Sequence, residues 1–389
     1  RWIRGLARET DRAWVTTIHG FCRRLLAAHP VAAGLDPRFR VLDAGEAERM
    51  RERAAHDAID ALAEAGDDAV ARAAAAYKPD GLARMALVAH ERLRNQGMNP
   101  PRLPEVGDPT RSGDDEAEPL SPAERSAALD ARDALERVLE ALSERYEELK
   151  AARSGLDFLD LELRALALLR ESEGIAARWR GRFRHVLVDE FQDTNRVQLA
   201  LIECLRDADT RLFVVGDEHQ SVYRFRNADL EVFREARRRA ERDPRTEVLS
   251  LRGNFRSAPE VLAAANAVGR TLIDRFPELR AGAPPAGGPR AELLLSFEEG
   301  SGKAHRKWND VAEELAPPPT AKPRVVAEAR ALAERLREIV DAGEARPGEI
   351  VVLLRAFTHV DAYDEALRRY GLDPYVVGGR GYWSQQQVE

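Results

Sequence analysis

Short apolar runs that stop at polar residues alternate along this chain with stretches whose apolar residues recur at helical spacing, the pattern of parallel strands joined by covering helices. Val15–Thr17 leads into a helix expected to end near Pro30, and Phe39–Asp43 opens the next unit. From about Ala44 to Arg153 the rhythm changes to Ala, Glu and Arg at helical spacing without a convincing strand, which predicts an all-helical insertion. Pro100, Pro101, Pro104, Pro109 and Pro119, with the acidic run Asp114–Glu116, interrupt it with an expected mobile loop. Ser121, Pro122 and Glu124 then restart a long helix with a capping box and a proline in its first turn. Asp157–Leu169 returns the chain to the first α/β core.

A second α/β core is expected from about Leu249. Its strands are predicted at 247–251, 291–296, 350–354 and 375–377, and its helices at about 324–341 and 360–370. Two proline-rich gaps, Pro284–Pro289 and Pro317–Pro323, read as surface loops.

Candidate chemistry gathers where these strands end. Val186–Val188 stops at Asp189 and Glu190, as a buried parallel strand delivers acids to the carboxyl edge of a sheet where nucleotides bind. One such acid can hold a Mg²⁺ ion and the other can orient or deprotonate a water. Alternatively the strand simply runs out into a polar loop. Leu212–Val215 ends in GDEHQSVYRFR, where Gly216 would let the chain turn sharply and Gln220 offers an uncharged donor and acceptor for a phosphate or water. Tyr223, Arg224, Phe225 and Arg226 interleave rings with cations, a composition that stacks bases while neutralising backbone, or that forms a core with an arginine rim. In LRGNFRSAPE, Phe255 and Arg256 precede a helix for which Ser257 is the predicted N-cap and Glu260 its capping-box partner.

Taken in order and spacing, VLVDEFQDT, VVGDEHQSVYRFR and LRGNFRS resemble motifs II, III and IV of superfamily 1 DNA helicases of the UvrD, Rep and PcrA group, nearest in flavour to the RecB/AddA branch. TTIHGFCRRLL is similar to that family's short motif for touching single strands, and YVVGGRGYWSQQQVE resembles its passage out of the second motor core. The resemblance implies two RecA-like, P-loop NTPase-type parallel-sheet cores: residues 1–43 and 154–248 in the first, 44–153 as the helical insertion, and 249–389 as the start of the second. It implies ATP and Mg²⁺ as cofactors, with Asp189 on the metal, Glu190 as base, Gln220 coupled to the γ-phosphate, Arg256 as an arginine finger and Phe255 stacked on adenine. It implies Thr17, His19, Tyr223 and Phe225 on DNA, Phe225 standing where UvrD-like members carry Trp and the RecB-like branch Phe. Partners would be single-stranded DNA, duplex junctions and the other components of a helicase–nuclease complex.

The family's phosphate loop, G-x-x-x-x-G-K-[ST], has no counterpart here; FEEGSGKA carries Phe297 and Ala304 at the wrong places. The chain therefore reads as an internal fragment, inactive alone, of a 3′–5′ DNA helicase acting in repair or recombination. An ATPase-inactive DNA-binding scaffold is the alternative, and a nucleic-acid-dependent ATPase that remodels protein complexes is a third reading. The net charge of −7 excludes a uniformly basic nucleic-acid sponge, so any DNA contact must be a local groove. No apolar stretch approaches the roughly 20 residues of a membrane span, and a cytoplasmic, nucleoid-associated protein is expected. Cys22 and Cys204 are too few for a structural metal site and read as reduced core thiols.

Overall fold

The computed structural model describes residues 14–104, 121–221, 229–273, 276–282, 291–294 and 322–377. The chain divides into two compact units, residues 1–249 and 250–389. It is a helix-rich α/β protein with small parallel sheets, and each sheet among the described residues has two strands.

The first unit opens with α1 (Ile18–Ala28), followed by β1 (Arg40–Val41) and the helices α2 (Ala44–Glu64), α3 (Asp68–Tyr77), α4 (Pro79–Asn95) and α5 (Pro122–Ala151). Side-chain caps set these starts: Thr17 accepts the Gly20 N–H, Asp43 that of Glu46, and Ser121 forms the expected capping box with Glu124. Helices α2–α5 close around their own core, in which Ala54, Leu82, Val138, Leu142 and Tyr146 are buried. Burying each large aliphatic side chain contributes about 1.5–3 kcal/mol. Directly after α5 comes β2 (Gly155–Leu156), which pairs in parallel with β1, so the helical stretch leaves and rejoins the fold at one bridge. Gly155 leaves room there for the buried Leu42, whose Cδ2 a Cβ would meet at 2.7 Å.

Next come α6 (Phe158–Glu171), α7 (Glu173–Arg180), β3 (His185–Val188), α8 (Arg196–Cys204), β4 (Arg211–Val214) and α9 (Leu230–Arg242). A second core joins α1, α6, α7 and α8 through Cys22, Leu25, Leu161, Leu166, Trp179 and Leu201. Trp14, Phe21, Trp179 and Phe183 meet edge-on or tilted at one end of it.

Between the two cores lies a buried set of charges. Arg94 on α4 donates to Asp157 (3.1 Å) and Asp160 (2.5 Å), Lys150 on α5 donates to Asp160 (2.6 Å), and the Tyr146 hydroxyl donates to Asp157 (3.0 Å). The two acids are also the capping box of α6. Burial pushes the Asp157 carboxyl up, but Arg94 and Lys150 outweigh it and hold it well below the usual carboxylate range.

The pair β3–β4 is parallel, with Val186 opposite Leu212 and Leu187 opposite Phe213. Val186, Val188 and Leu212 pack over Phe191, Ile202 and Val232, while Leu187 is 71% exposed and Phe213 57% exposed. The expected buried strand is thus covered on one face only, the face that carries Leu187 and Phe213 being left open among the described residues.

In the second unit, β5 (Gly253–Asn254) pairs in parallel with β6 (Arg280–Ala281), α10 (Pro259–Leu272) lies between them in sequence, and α11 (Pro323–Asp341) packs on α12 (Val360–Arg369). Both late helices fall where the periodicity predicts them. The expected strands do not form: 247–251, 291–294, 350–354 and 375–377 have no ladder, and Leu251, Leu353 and Tyr375 are exposed. An apolar run becomes a strand only when a partner takes its N–H and C=O groups, and none does among the described residues. Residues 295–296, the loop at 105–120, most of both proline-rich gaps and FEEGSGKA lie outside the described residues.

Candidate nucleotide and nucleic-acid site

Asp189 and Glu190 leave the end of β3 exposed, and the turn that carries them is fixed from below. Glu190 adopts the left-handed conformation (φ 49°, ψ 42°), uncommon for a residue with a side chain. Its N–H donates to Asp189 Oδ1 (2.9 Å). Gln192, 1% exposed, holds the other end of Glu190: its Nε2 donates to Glu190 Oε2 at 2.8 Å. The Gln192 Oε1 accepts the Asp217 N–H at 3.0 Å, which ties the turn after β3 to the turn after β4. Two backbone bonds seal the same junction, Phe191 N–H to Val215 O (2.8 Å) and Val215 N–H to Val188 O (2.9 Å).

Gly216 belongs to this junction for a reason other than the expected sharp turn. Its φ is not positive; a Cβ there would stand 2.6 Å from Gln192 Oε1 and 2.9 Å from the Phe233 ring. Close approach, not backbone freedom, requires glycine. Gln220 is exposed, and its Nε2 donates to Asp217 Oδ2 (2.9 Å), so Gln192 and Asp217 link it to the acid pair.

Thr17 caps α1 with its hydroxyl (3.1 Å to the Gly20 N–H). His19, on the first turn, packs edge-on against Phe158 (centroids 5.0 Å apart) and places Nε2 3.0 Å from Glu162 Oε1. Cys22 is buried and Cys204 partly so, both as free thiols; burial first, and then the Glu162 charge, push the Cys22 thiol far above its ordinary value.

On the second unit, Asn254 Oδ1 accepts the N–H groups of both Arg256 (3.0 Å) and Ser257 (2.8 Å). This corrects the expected cap: the N-cap of α10 is Ala258 without a side-chain bond, and Pro259 starts the helix. Asn254 reaches the donors first and moves the helix start past Ser257. Phe255 is 79% exposed, and its ring lies close to two glycines: a Cβ at Gly282 would stand 2.4 Å from Phe255 Cε1 and one at Gly253 3.2 Å from Cε2. The Arg256 guanidinium is exposed and has no hydrogen-bond partner among the described residues. Tyr223 and Phe225, with Arg224 and Arg226, lie outside the described residues.

Within the first unit, then, Asp189, Glu190 and Gln220 are linked in one hydrogen-bonded junction, and Thr17 and His19 share the start of α1. Sequence reasoning assigned no role to Gln192 or Glu162. Gln192 lies inside the quoted DEFQDT and carries no signal of its own. Glu162 was visible as the one acid in the stripe Leu159, Glu162, Leu166, Leu169.

Parallel strands that end in exposed acids on a braced turn place the chain among the α/β proteins. The sequence profile of the UvrD/REP helicase N-terminal domain matches residues 2–241, and the chain belongs to that family. It is 33% identical over 285 residues to an ATP-dependent helicase/nuclease subunit of Listeria innocua, covering 65% of this chain and 22% of that protein. It is 29% identical over 394 residues to the ATP-dependent DNA helicase UvrD1 of Mycobacterium tuberculosis, covering 99% of this chain and 42% of the relative. With DNA helicase II of Escherichia coli it shares 26% identity over 378 residues, covering 97% and 42%. The chain thus spans less than half the length of these relatives. Among the described residues no helix is long and apolar enough to cross a membrane.

Proposed function

We propose that this chain is the motor part of an ATP-dependent DNA helicase that translocates 3′ to 5′ on single strands in repair or recombination, and that it works beside the other components of a helicase–nuclease complex. In this reading residues 1–43 and 154–248 are the first RecA-like core, 44–153 its helical insertion, and 249–389 the start of the second. The bridge of β1 with β2, which brings both ends of the helical stretch together, supports that division. The observation that carries the function is the Glu190 turn: a left-handed carboxylate held by a buried glutamine is a costly arrangement to maintain at a mere strand end.

The residues fit a Mg²⁺–nucleotide pair. Asp189 spends one carboxylate oxygen on the Glu190 N–H and keeps the other for a hard cation, and Mg²⁺ takes few protein ligands beside substrate phosphates. Bound there, the ion would neutralise phosphate charge. Glu190, oriented by Gln192, would accept the proton of the attacking water. Gln220, joined to the same junction through Asp217, would report the γ-phosphate, and Arg256, exposed and without a partner among the described residues, would offset its charge. The exposed Phe255 ring, set beside Gly253 and Gly282, would take the adenine ring. Thr17 and His19, with Tyr223 and Phe225, would meet the DNA strand.

Glu190→Gln in the full-length protein tests this. Turnover should fall by roughly 10² or more, the scale of general-base loss, with nucleotide binding kept. ATPase activity near wild type would reduce Glu190 to a strand-end carboxylate.

A further inference from the structure

Helix α6 carries one acid that core packing does not explain. Glu162 is 1% exposed and sits in the stripe where Leu159, Leu166 and Leu169 are apolar. Among the described residues no Lys or Arg pairs with it; it is satisfied by an imidazole and two amides. Gln198 Nε2 donates to Oε1 (2.6 Å), Asn195 Nδ2 to Oε2 (3.2 Å), and His19 Nε2 stands 3.0 Å from Oε1. A carboxylate oxygen accepts, so a proton on the His19 nitrogen that faces it would complete a third bond to Glu162.

The donors come from two places that matter. His19 stands on the first turn of α1, two residues after Thr17. Asn195 is the N-cap of α8 and Gln198 its capping-box partner, and this cap ends the turn that begins at Asp189 and Glu190. Glu162 therefore joins the start of α1, through the 3.0 Å His19 contact, to the far end of the acid turn, through its bonds from Asn195 and Gln198, on one rigid side chain. Short bonds to a charged acceptor are stiff and steep with distance. A displacement of α1 cannot leave the α8 cap where it was without breaking one of them.

We infer that Glu162 is a positioning residue that couples occupancy of the α1 start by single-stranded DNA to the placement of the Asp189–Glu190 turn. The inference rests on the proposed function and adds the element through which strand binding reaches the acids. An amide cannot replace the carboxylate: three donors converge on two acceptor oxygens, and Glu162→Gln turns its own NH₂ against one of them.

The test uses the full-length protein and a thymidine oligonucleotide, following ATP turnover against oligonucleotide concentration. Glu162→Gln should lower the ratio of DNA-stimulated to DNA-free turnover by about tenfold, the scale of one lost hydrogen bond to a charged group, with half-saturating ATP unchanged. At saturating oligonucleotide, where any loss of strand affinity no longer counts, His19→Ala added to Glu162→Gln should lower the ratio no further, because both substitutions cut the same link. Additive losses in the double variant, an unchanged ratio, or an equal fall in both turnovers with a lower melting temperature would each overturn the coupling. A wild-type protein whose turnover ignores DNA overturns the proposed function itself, and the coupling with it; that result differs from a stimulated wild type matched by its Glu162→Gln variant.

Discussion

The two units treat the same kinds of residue in opposite ways. In the first, charges go inside: Arg94, Lys150 and Asp160 are each 3% exposed or less and lock the helical stretch α2–α5 to the cap of α6. In the second, charges stay out and apolar residues join them: Arg335 grips Glu292 at the surface, while Leu251 and Leu353 are 93% and 89% exposed. Stability in the first unit should therefore depend on single interior charges, whereas the second rests on the apolar packing of α11 on α12.

Arg94→Ala should break that contrast most strongly. It strips Asp157 and Asp160 of their shared guanidinium and leaves buried carboxylates with one lysine and a tyrosine, a loss of about 3–5 kcal/mol for a buried pair. Urea unfolding followed by far-UV circular dichroism should show the first transition move by that amount. Arg335→Ala, which removes a surface ion pair, should move unfolding far less. Equal effects would mean that the interior charges brace nothing.

A smaller effect separates the units by pH. His90 is 2% exposed, its Nδ1 has no hydrogen-bond partner, and its ring meets Tyr146 edge-on. Burial first, and then the charges of Arg94, Arg51 and Lys150, push its pKa down to about 3. The folded state therefore keeps His90 neutral where the unfolded chain, with its ordinary value near 6.5, takes up a proton. Stability from this group is whole above about pH 6.5 and is lost as pH falls toward 3, by up to about 1.4 kcal/mol per pH unit. Asp157, depressed by its cations, adds its own loss only below about pH 4. Between about pH 6.5 and 4.5, His90→Leu should flatten the slope of the first transition. An unchanged slope would place the acid sensitivity elsewhere.

How far the sequence could be read follows the same division. The helix start at Ser121 was legible because capping is local, written within four residues; the caps at Thr17 and Asp157 obey the same rule but were not read from it. The β3–β4 strands were legible because the apolar run and the ladder partner both exist. Ser257 misled because Asn254, three residues upstream, captures the donors a cap would take. The expected strands at 350–354 and 375–377 show the apolar pattern alone, and pairing is a property of two segments that no single segment encodes. Within the site, the acids stood out by position, whereas Gln192 and Glu162 act through contacts 25 and 143 residues away in sequence, to Asp217 and His19.

The smallest expected effect is the sharpest statement of the contrast. Leu353 lies in an apolar run and Leu142 on the apolar face of a helix, one 89% exposed in the second unit and one 0% exposed on α5. Leu142→Ala should cost about 2–5 kcal/mol, since truncation leaves a cavity among Ala54, Val138 and Tyr146 as well as losing transfer free energy. Leu353→Ala removes the same atoms from a position already in water, so its change should stay within about 0.5 kcal/mol. Thermal unfolding of both variants beside wild type measures the two numbers under one condition. If Leu353→Ala destabilises as much as Leu142→Ala, residues 350–354 are packed in solution, and the second unit resembles the first far more closely than its exposed leucines indicate.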